Sequence, residues 1–321
     1  MKIVILEGKS VGEDMVFAPF YNLGEVTIYP KTGPEEMPER IKDADIIVAN
    51  KLPMCEQTLS GAEHLKLVCL TATGTNNLDG EYLKLRGIQA RNVAGYSTDA
   101  VAQHTFALLF YLWEKLRFYD DFVKSGEYGS GNSFSCFPER FLELKGKTWG
   151  IIGMGAIGQR VAEIASVFGC RIICYSASGS KYDFQEKGWG QVDFDTLLKE
   201  SDILSIHAPL NCYTENLMNL DAFRRMKKEA VLINVARGPI VNQEDLYTAL
   251  TENLIAAAGL DVLKVEPLTE DNPLGRIKDS RKLLITPHMG WAPVETRTRC
   301  LEEVVKNIEA FLRGEDRNRV Y

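Results

Sequence analysis

Four side chains that can bind anions or move protons follow strand-like segments in the C-terminal half of the chain. They are Arg237, Asp261, Glu266 and His288. Ligands of open α/β sheets bind beyond the carboxyl ends of the strands. We therefore expect one guanidinium, two carboxylates and one imidazole to lie on the same rim of a sheet.

This set suits hydride transfer between a nicotinamide and a 2-keto or 2-hydroxy acid. The planar guanidinium of Arg237 can bind the carboxylate and the carbonyl of such a substrate together, which a lysine cannot imitate. Reduction also needs a proton for the forming alkoxide, and a histidine titrates in the useful pH range. A carboxylate beside that histidine would hold its tautomer and favour its protonated, acidic form.

Upstream lies the run Gly153-Met154-Gly155-Ala156-Ile157-Gly158. It follows an apolar segment, residues 148–152, and opens an amphipathic one, residues 156–168, which predicts a strand, a tight turn and a helix. The first glycine permits the turn, the second lets the backbone approach a pyrophosphate, and the third lets helix and strand pack closely. The helix N-terminus offers N–H groups to phosphates. The run therefore predicts a dinucleotide site, with a glycine-rich turn of an ordinary α/β fold as the alternative.

Three of these four residues also have a purely structural interpretation. Arg237 could cap a helix or lie on the surface, although the following Gly238-Pro239 favours a fixed turn. Glu266 could be a solvated turn residue, and His288 could be a core histidine with satisfied hydrogen bonds. The occurrence of all three residues in one chain, after a dinucleotide turn, favours the chemical interpretation.

Apolar, β-branched runs alternate with helical patterns along the chain, which predicts parallel α/β architecture. We expect two Rossmann-like domains with doubly wound parallel sheets. Residues 1–98 and 292–321 would form a substrate domain, and residues 99–291 a dinucleotide-binding domain. The last helix, near residues 294–312, would return to pack on the first domain. The predicted strands are residues 3–6, 26–29, 46–49, 67–70 and 88–91, then 148–152, 171–175, 203–207, 230–235, 255–262 and 282–286.

Two neighbouring segments suggest self-association. Residues 100–118, after a helix N-cap at Ser97-Thr98-Asp99, are apolar nearly all round, and we expect one long buried helix there. Residues 126–138 are rich in Gly, Ser and aromatic residues and predict a loop. Because an apolar helix needs cover, we expect a homodimer.

Composition excludes several functions. The 321 residues carry a formal net charge of −7, which argues against nucleic-acid or anionic-membrane binding, since those need a basic face. No apolar stretch approaches the ~20 residues of a membrane span. The N-terminus predicts a strand and not a signal peptide, so we expect a cytoplasmic protein.

The seven cysteines form no Cys-x-x-Cys pair and the four histidines lie far apart, so we expect reduced thiols and no metal site.

The order of the motifs resembles the D-isomer-specific 2-hydroxyacid dehydrogenase family over nearly the whole chain. The motifs are Gly-x-Gly-x-x-Gly, Val-Ala-Arg-Gly, Gly-Leu-Asp-Val with Glu-Pro, and Thr-Pro-His-x-Gly-Trp-Ala. The segment 72–79 and the segment 288–292 are most similar to the glycerate dehydrogenase (hydroxypyruvate reductase) branch. The resemblance implies an enzyme that oxidises or reduces a small D-2-hydroxy acid or 2-keto acid with a nicotinamide cofactor.

The resemblance also implies roles for individual residues. Arg237 would bind and polarise the substrate, His288 would be the acid/base, and Glu266 would be the partner of His288. Backbone N–H groups near Thr73 and Gly74 would hold the substrate carboxylate. Apart from the resemblance, Leu52, Trp291 and the aromatic run Phe134-Ser135-Cys136-Phe137 are candidates to line the substrate pocket, with core or subunit contacts as the alternative. Cofactor contacts would come from Gly153, Gly155, Ala156, Ile157, Gly158, Ser176, His207, Pro209, Val235, Ala236, Asp261 and Gly290.

The choice between NAD and NADP stays open. In NAD-preferring folds an acidic residue ends the second strand and binds the ribose hydroxyls. Here the strand runs into Ser176-Ala177-Ser178-Gly179-Ser180-Lys181, with no carboxylate before Asp183. A hydroxyl-rich turn with a lysine does not repel a 2′-phosphate. Alternatively, Ser176 and backbone groups simply hold the ribose.

Two other functions stay open. A phosphoglycerate dehydrogenase would carry the same motifs, although no regulatory domain follows the last helix. A cofactor-sensing binding protein similar to a corepressor would use the same scaffold without turnover. Because the catalytic positions are all filled, we favour the enzyme.

Overall fold

The computed structural model describes residues 1–131 and 133–321, which divide into two compact units. The first contains residues 1–97 and 291–321, and the second contains residues 98–290. The predicted boundaries follow residues 98 and 291, so each lies one residue later in the chain than the boundary in the structure. The predicted loop at residues 126–138 includes Asn132, which lies outside the described residues.

The first unit is built on a five-stranded parallel sheet of order β2-β1-β3-β4-β5. Strands β3 and β4 are buried at every position, as continuous apolar runs in parallel sheets are. Short helices connect the strands. The elements are β1 (Lys2–Ile5), β2 (Glu25–Ile28), α1 (Met37–Ile41), β3 (Ile46–Ala49), α2 (Glu56–Leu59), β4 (Leu67–Leu70), α3 (Gly80–Leu85) and β5 (Gln89–Arg91).

The second unit contains a seven-stranded parallel sheet of order β12-β11-β10-β9-β6-β7-β8. Its first strand, β6, lies inside the sheet, and the later strands add on both sides of it, so the switch point lies between β6 and β9. The strands are β6 (Thr148–Ile152), β7 (Arg171–Tyr175), β8 (Gly190–Gln191), β9 (Ile203–Ile206), β10 (Val231–Asn234), β11 (Ala257–Leu260) and β12 (Leu283–Ile285). The helices are α4 (Thr98–Trp113), α5 (Leu116–Lys124), α6 (Ala156–Val167), α7 (Phe194–Glu200), α8 (Leu220–Arg225) and α9 (Gln243–Thr251).

The two parallel sheets confirm the predicted fold class. The last helix, α10 (Val294–Leu312), belongs to the first unit, as the sequence predicts. Its apolar face enters the core of that unit beside Ile3, Val48 and Cys69. The buried residues of α10 that belong to this core are Cys300, Leu301, Val304 and Ile308.

The prediction of one long helix over residues 100–118 is wrong. Helix α4 ends at Trp113, and Lys115 adopts a left-handed conformation with φ 56° before α5 begins. A left-handed residue cannot continue the i to i−4 hydrogen bonding of a right-handed helix. The indole N–H of Trp113 donates to the carbonyl of Leu142, which fixes the end of α4 against the loop that follows α5.

None of the described helices combines the length and the apolar character that a bilayer span requires. All seven cysteines lie among the described residues and are free thiols.

Candidate active site

The glycine run forms the turn between β6 and α6, as the sequence predicts. Gly153 has φ 91°, and a Cβ there would lie 2.6 Å from the backbone nitrogen of Ala208. A Cβ on Gly158 would lie 2.1 Å from the carbonyl oxygen of Gly153. Both contacts are too short for any side chain, so these two positions require glycine.

Gly155 serves a different purpose in the turn. A Cβ on Gly155 would meet no atom within 4 Å, so the space beside it is open. Gly155 is also the N-cap of the 12-residue helix α6, which begins with Ala156 and Ile157, and no described side chain caps it. The first N–H groups of a helix need acceptors, and a diphosphate supplies them. The open space and the uncapped helix therefore fit the diphosphate of a dinucleotide.

Ser176 follows β7 directly, at the position that faces the adenosine ribose in dinucleotide folds. It is buried, and its Oγ lies 3.3 Å from Oγ of Ser178, which lies 3.0 Å from Oγ of Ser180. The three hydroxyls form a row that can donate to a ribose or to a phosphate. The turn supplies no carboxylate to repel a 2′-phosphate.

His207 follows β9 at the switch point, where its N–H donates to the carbonyl of Ile152 at 2.8 Å. Its Nε2 lies 3.0 Å from Oγ of Ser205, which accepts the indole N–H of Trp149 at 2.8 Å. Nδ1 is buried with no hydrogen-bond partner in the described chain. Burial lowers the pKa of His207 to about 3, so the ring is neutral at physiological pH. Pro209 is exposed two residues later.

The turn after β10 carries Arg237. The buried side chain of Asn234 shapes this turn, because its Oδ1 accepts the N–H of Ala236 at 3.0 Å and its Nδ2 donates to the carbonyl of Arg237 at 3.0 Å. Val235 is buried, whereas Arg237 is only half-buried. A Cβ on Gly238 would lie 2.0 Å from the carbonyl carbon of Leu263. The arginine turn therefore packs directly against the backbone that follows β11.

Glu266 and His288 form a close pair. Nδ1 of His288 lies 2.7 Å from Oε2 of Glu266, and Oε1 of Glu266 accepts the N–H of Leu263 at 2.9 Å. Because a carboxylate accepts, Nδ1 carries the hydrogen and Nε2 is the nitrogen that can exchange a proton. The two side chains are 36% and 25% exposed, so both remain accessible to ligands.

Asp261 lies at the end of β11 and is almost fully buried. Its Oδ1 accepts from the hydroxyl of Thr286 at 2.6 Å and from the N–H of Met289 at 2.8 Å. Its Oδ2 accepts from the N–H of Gly290 at 2.8 Å. Burial raises the pKa of Asp261, but the hydrogen bonds from His104, Thr286 and these two amides lower it by more. The pKa therefore lies below its usual value, and the carboxyl stays ionised.

In the first unit, the predicted substrate loop is held by side-chain amides. Asn92 donates to the carbonyl of Thr73 at 2.6 Å, and Oγ1 of Thr73 donates to the carbonyl of Val93 at 2.7 Å. Asn77, in the same loop, donates to the carbonyl of Leu52 at 2.8 Å. These bonds fix the backbone near Gly74, from which the predicted carboxylate-binding N–H groups come.

Three positions lie outside the sequence prediction. Oε2 of Glu7 accepts the N–H groups of residues 50, 51 and 52 at 2.7, 3.0 and 3.2 Å, which fixes the loop that carries Leu52. Asn234 shapes the arginine turn, and His104 contacts Asp261. Neither Glu7 nor His104 carries a sequence signal, because each contacts residues far away in the chain. Asn234 immediately precedes the predicted Val-Ala-Arg-Gly motif, and that position could have identified it.

The predicted pocket residues Leu52 and Trp291 both belong to the first unit. Leu52 is half-buried against the core cluster that contains Val68 and Leu83. Trp291 is half-buried against the core cluster that contains α10. Their packing is equally compatible with a core role and a binding role.

The other predicted chemical residues gather on one edge of one sheet. Gly153, Ser176 and His207 follow β6, β7 and β9. In the same way, Arg237 follows β10, Asp261 and Glu266 follow β11, and His288 follows β12. Parallel strands present their carboxyl ends on one side, so the dinucleotide turn, the guanidinium, the two carboxylates and the imidazole share a rim. This arrangement suits a nicotinamide reaction on a small anion. Within the described residues, no three His, Cys, Asp or Glu side chains are arranged to hold a metal ion.

Comparison with known proteins shows what this chain is similar to. Residues 106–290 match the family model described as "D-isomer specific 2-hydroxyacid dehydrogenase, NAD binding domain". The hydroxypyruvate reductase of Blautia hydrogenotrophica is 35% identical over 318 residues, 98% of each chain. The glycerate dehydrogenase of Methylorubrum extorquens is 34% identical, over 99% of this chain and 98% of that protein. The structure of an acyclic imino acid reductase in complex with NADPH and D-Arg is similar at a TM-score of 0.88, with 30% identity and full coverage of both chains.

Proposed function

This chain belongs to the D-isomer specific 2-hydroxyacid dehydrogenase family, and we propose that its substrate pair is hydroxypyruvate and D-glycerate. As a member of that family it is an NAD(P)-dependent oxidoreductase that acts on the CH–OH group of a small 2-hydroxy acid. The observation that carries the proposal is the contact between His288 and Glu266 on the rim that also holds the dinucleotide turn. The names of the two curated relatives support the choice of substrate.

In this proposal Arg237 binds the substrate. Its guanidinium offers a planar fork of N–H donors that suits a carboxylate and an adjacent carbonyl. The bonds from Asn234 hold the arginine turn in place before the substrate arrives. Donors fixed in advance can stabilise the negative charge that develops on the carbonyl oxygen without reorganising during the reaction.

His288 transfers the proton in this proposal. Its Nε2 gives a proton to the forming alkoxide in reduction and takes it from the hydroxyl in oxidation. Glu266 accepts from Nδ1, which keeps Nε2 as the reacting nitrogen and stabilises the positive charge of the imidazolium.

The dinucleotide, when bound, supplies or accepts the hydride. The turn at Gly153, Gly155 and Gly158 and the first N–H groups of α6 hold its diphosphate, and Ser176 binds its ribose. The backbone at Val235, Ala236 and Gly290 and the side chains of His207 and Asp261 are further proposed contacts. We propose that the Ser176 turn accepts NADPH as well as NADH, because hydroxyls can donate to a phosphate or a ribose.

In the first unit, we propose that N–H groups near Thr73 and Gly74 bind the substrate carboxylate. Leu52 and Trp291 are the proposed pocket residues there. Homodimer formation is also a proposal, supported by Phe134 and Phe137, which are 93% and 78% exposed in the loop that follows α5. The cytoplasmic location stays a prediction.

A substrate panel tests this proposal. The full-length protein is assayed for oxidation of NADH and NADPH with hydroxypyruvate, glyoxylate, pyruvate and 3-phosphohydroxypyruvate. We expect the highest kcat/KM with hydroxypyruvate. A preference for 3-phosphohydroxypyruvate would instead favour the phosphoglycerate dehydrogenase alternative.

A variant tests the assigned acid. His288→Gln should lower kcat by about 10²- to 10⁴-fold, the usual contribution of a general acid, while NADH still binds, as followed by its fluorescence. Full activity of this variant would overturn the role of His288.

A further inference from the structure

His104 on helix α4 contacts the segment that carries His288. Its side chain is 14% exposed. Its Nε2 lies 2.9 Å from Oγ1 of Thr286 and 3.3 Å from Oδ1 of Asp261. No motif in the sequence distinguishes this histidine from the other residues of α4.

The position of the hydrogens in this cluster follows from its geometry. The hydroxyl of Thr286 donates to Oδ1 of Asp261 at 2.6 Å, so the Thr286 oxygen offers only lone pairs to other groups. Asp261 accepts three hydrogen bonds, from Thr286, Met289 and Gly290, and as a carboxylate it has no hydrogen to give. His104 must therefore carry its hydrogen on Nε2 and donate it to this pair. The tautomer of His104 is set by the cluster.

The same cluster brackets His288. Asp261 binds Thr286 on one side of His288 and the N–H groups of Met289 and Gly290 on the other. Between these anchors His288 has φ 53°, a left-handed conformation that costs a non-glycine residue energy. Such a conformation persists only where the surroundings over-determine it. The anchors on Asp261 thus hold His288 where Nδ1 meets Glu266.

Gly290 allows His104 to approach the cluster. A Cβ on Gly290 would lie 3.0 Å from Oδ2 of Asp261 and 3.2 Å from Cδ2 of His104. The imidazole therefore packs against the backbone just after His288 and also donates to the residue two positions before it. Among the described contacts of this cluster, His104 is the one donor that comes from a helix and not from the segment itself.

We propose that His104 is a positioning residue for the hydride-transfer reaction. Its Nε2–H holds the Thr286–Asp261 pair and thereby fixes the backbone of His288. The inference rests on the proposed role of His288 as the acid/base. Through His104, helix α4 holds the backbone of the residue that transfers the proton.

Two variants of His104 separate hydrogen bonding from packing. His104→Gln places an amide N–H close to the position of Nε2, whereas His104→Leu fills similar space without a donor. His64→Leu is the matched control, because His64 is exposed. We expect His104→Leu to lower kcat by about 10- to 100-fold, the effect of a misplaced catalytic group. KM for the keto acid and the Kd for NADH should change by less than about threefold, and His104→Gln should recover most of kcat.

Hydrogen exchange gives a readout that does not depend on turnover. In His104→Leu the amides of Met289 and Gly290 should exchange at least about tenfold faster, while His104→Gln and His64→Leu keep the exchange of the unsubstituted protein. Unchanged exchange and unchanged kcat in His104→Leu would overturn the inference while leaving the proposed function intact. Equal losses in the Leu and Gln variants would also overturn it. If the unsubstituted protein reduced no 2-keto acid, the proposed function would fail, and the exchange data would still decide whether His104 holds the segment.

Discussion

Glu266 joins His288 to the backbone that follows β11. Its Oε2 lies 2.7 Å from Nδ1 of His288, and its Oε1 accepts the N–H of Leu263 at 2.9 Å. Leu263 in turn packs against Gly238, next to the arginine turn. The orientation of the imidazole and the position of Arg237 therefore depend on one short stretch of backbone.

Replacing Glu266 with Gln should lower kcat for keto-acid reduction. The amide keeps the shape of the side chain but lacks the negative charge that stabilises a positively charged imidazole 2.7 Å away. We expect kcat to fall by about 10- to 100-fold, the effect of a poorly held catalytic group, while the Kd for NADH is retained. The rate is measured by NADH oxidation at saturating keto acid. Glu270→Gln, an exposed glutamate in the same loop, should keep the original kcat, and an unchanged kcat in Glu266→Gln would exclude a role for Glu266 in supporting the acid.

Replacing Arg237 with Lys should weaken catalysis without affecting the cofactor. Lysine keeps the charge but loses the planar fork that binds carboxylate and carbonyl together. Since the turn is held by Asn234, the backbone should not change. We expect kcat/KM for the keto acid to fall by about 10²- to 10³-fold, as on removal of a donor to a developing oxyanion. Arg276→Lys, at an exposed arginine, is the control, and a parallel rise in the Kd for NADH would assign Arg237 to the cofactor instead.

The sequence predicts the fold because the signals are local. Buried parallel strands appear as short apolar runs, and the predicted segments 46–49, 67–70 and 171–175 match β3, β4 and β7. Two features could not be predicted in this way. Strand β8 contains only Gly190 and Gln191 and has no apolar run. The break before α5 depends on the left-handed conformation of Lys115, which the apolar pattern does not encode.

The candidate site was predictable only in part. Arg237, Glu266 and His288 follow strands and stand in recognisable motifs, so their shared rim follows from parallel topology. His104 is separated from Thr286 by 182 positions, and it lies in an apolar helix whose pattern indicates only burial. A side chain that supports a site from another element leaves no periodic or local signal, so three-dimensional packing is needed to find it.

Replacing Ser176 with Asp should shift cofactor preference toward NADH. A carboxylate at the end of β7 can accept hydrogen bonds from ribose hydroxyls and repels a 2′-phosphate. We expect kcat/KM with NADPH to fall by at least about tenfold, while the value with NADH is retained or rises. Ser180→Asp, further along the same turn, is the control for charge alone. If Ser176→Asp reduced both cofactors equally, Ser176 would not be the residue that meets the 2′ position.

Replacing His207 with Gln should reduce the acid sensitivity of folding. Burial lowers the pKa of His207 to about 3, whereas a histidine in an unfolded chain has a pKa near 6.5. Below about pH 6.5 the unfolded chain binds a proton that the folded chain does not, so stability is present above that pH and decreases as the pH falls toward 3. Between pH 7 and pH 5 this difference amounts to about 2 kcal/mol of unfolding free energy.

The variant and its control isolate that contribution. Urea unfolding at pH 7 and pH 5 is followed by tryptophan fluorescence, to which Trp149 contributes from the same hydrogen-bonded group. The loss of unfolding free energy between the two pH values should be about 2 kcal/mol smaller in His207→Gln than in the unsubstituted protein. His64→Gln, at an exposed histidine, should behave like the unsubstituted protein, since an exposed imidazole is solvated in both states. An equal loss in all three proteins would mean that His207 takes up its proton in the folded state. The assignment of a neutral His207 ring beside Ser205 would then be wrong.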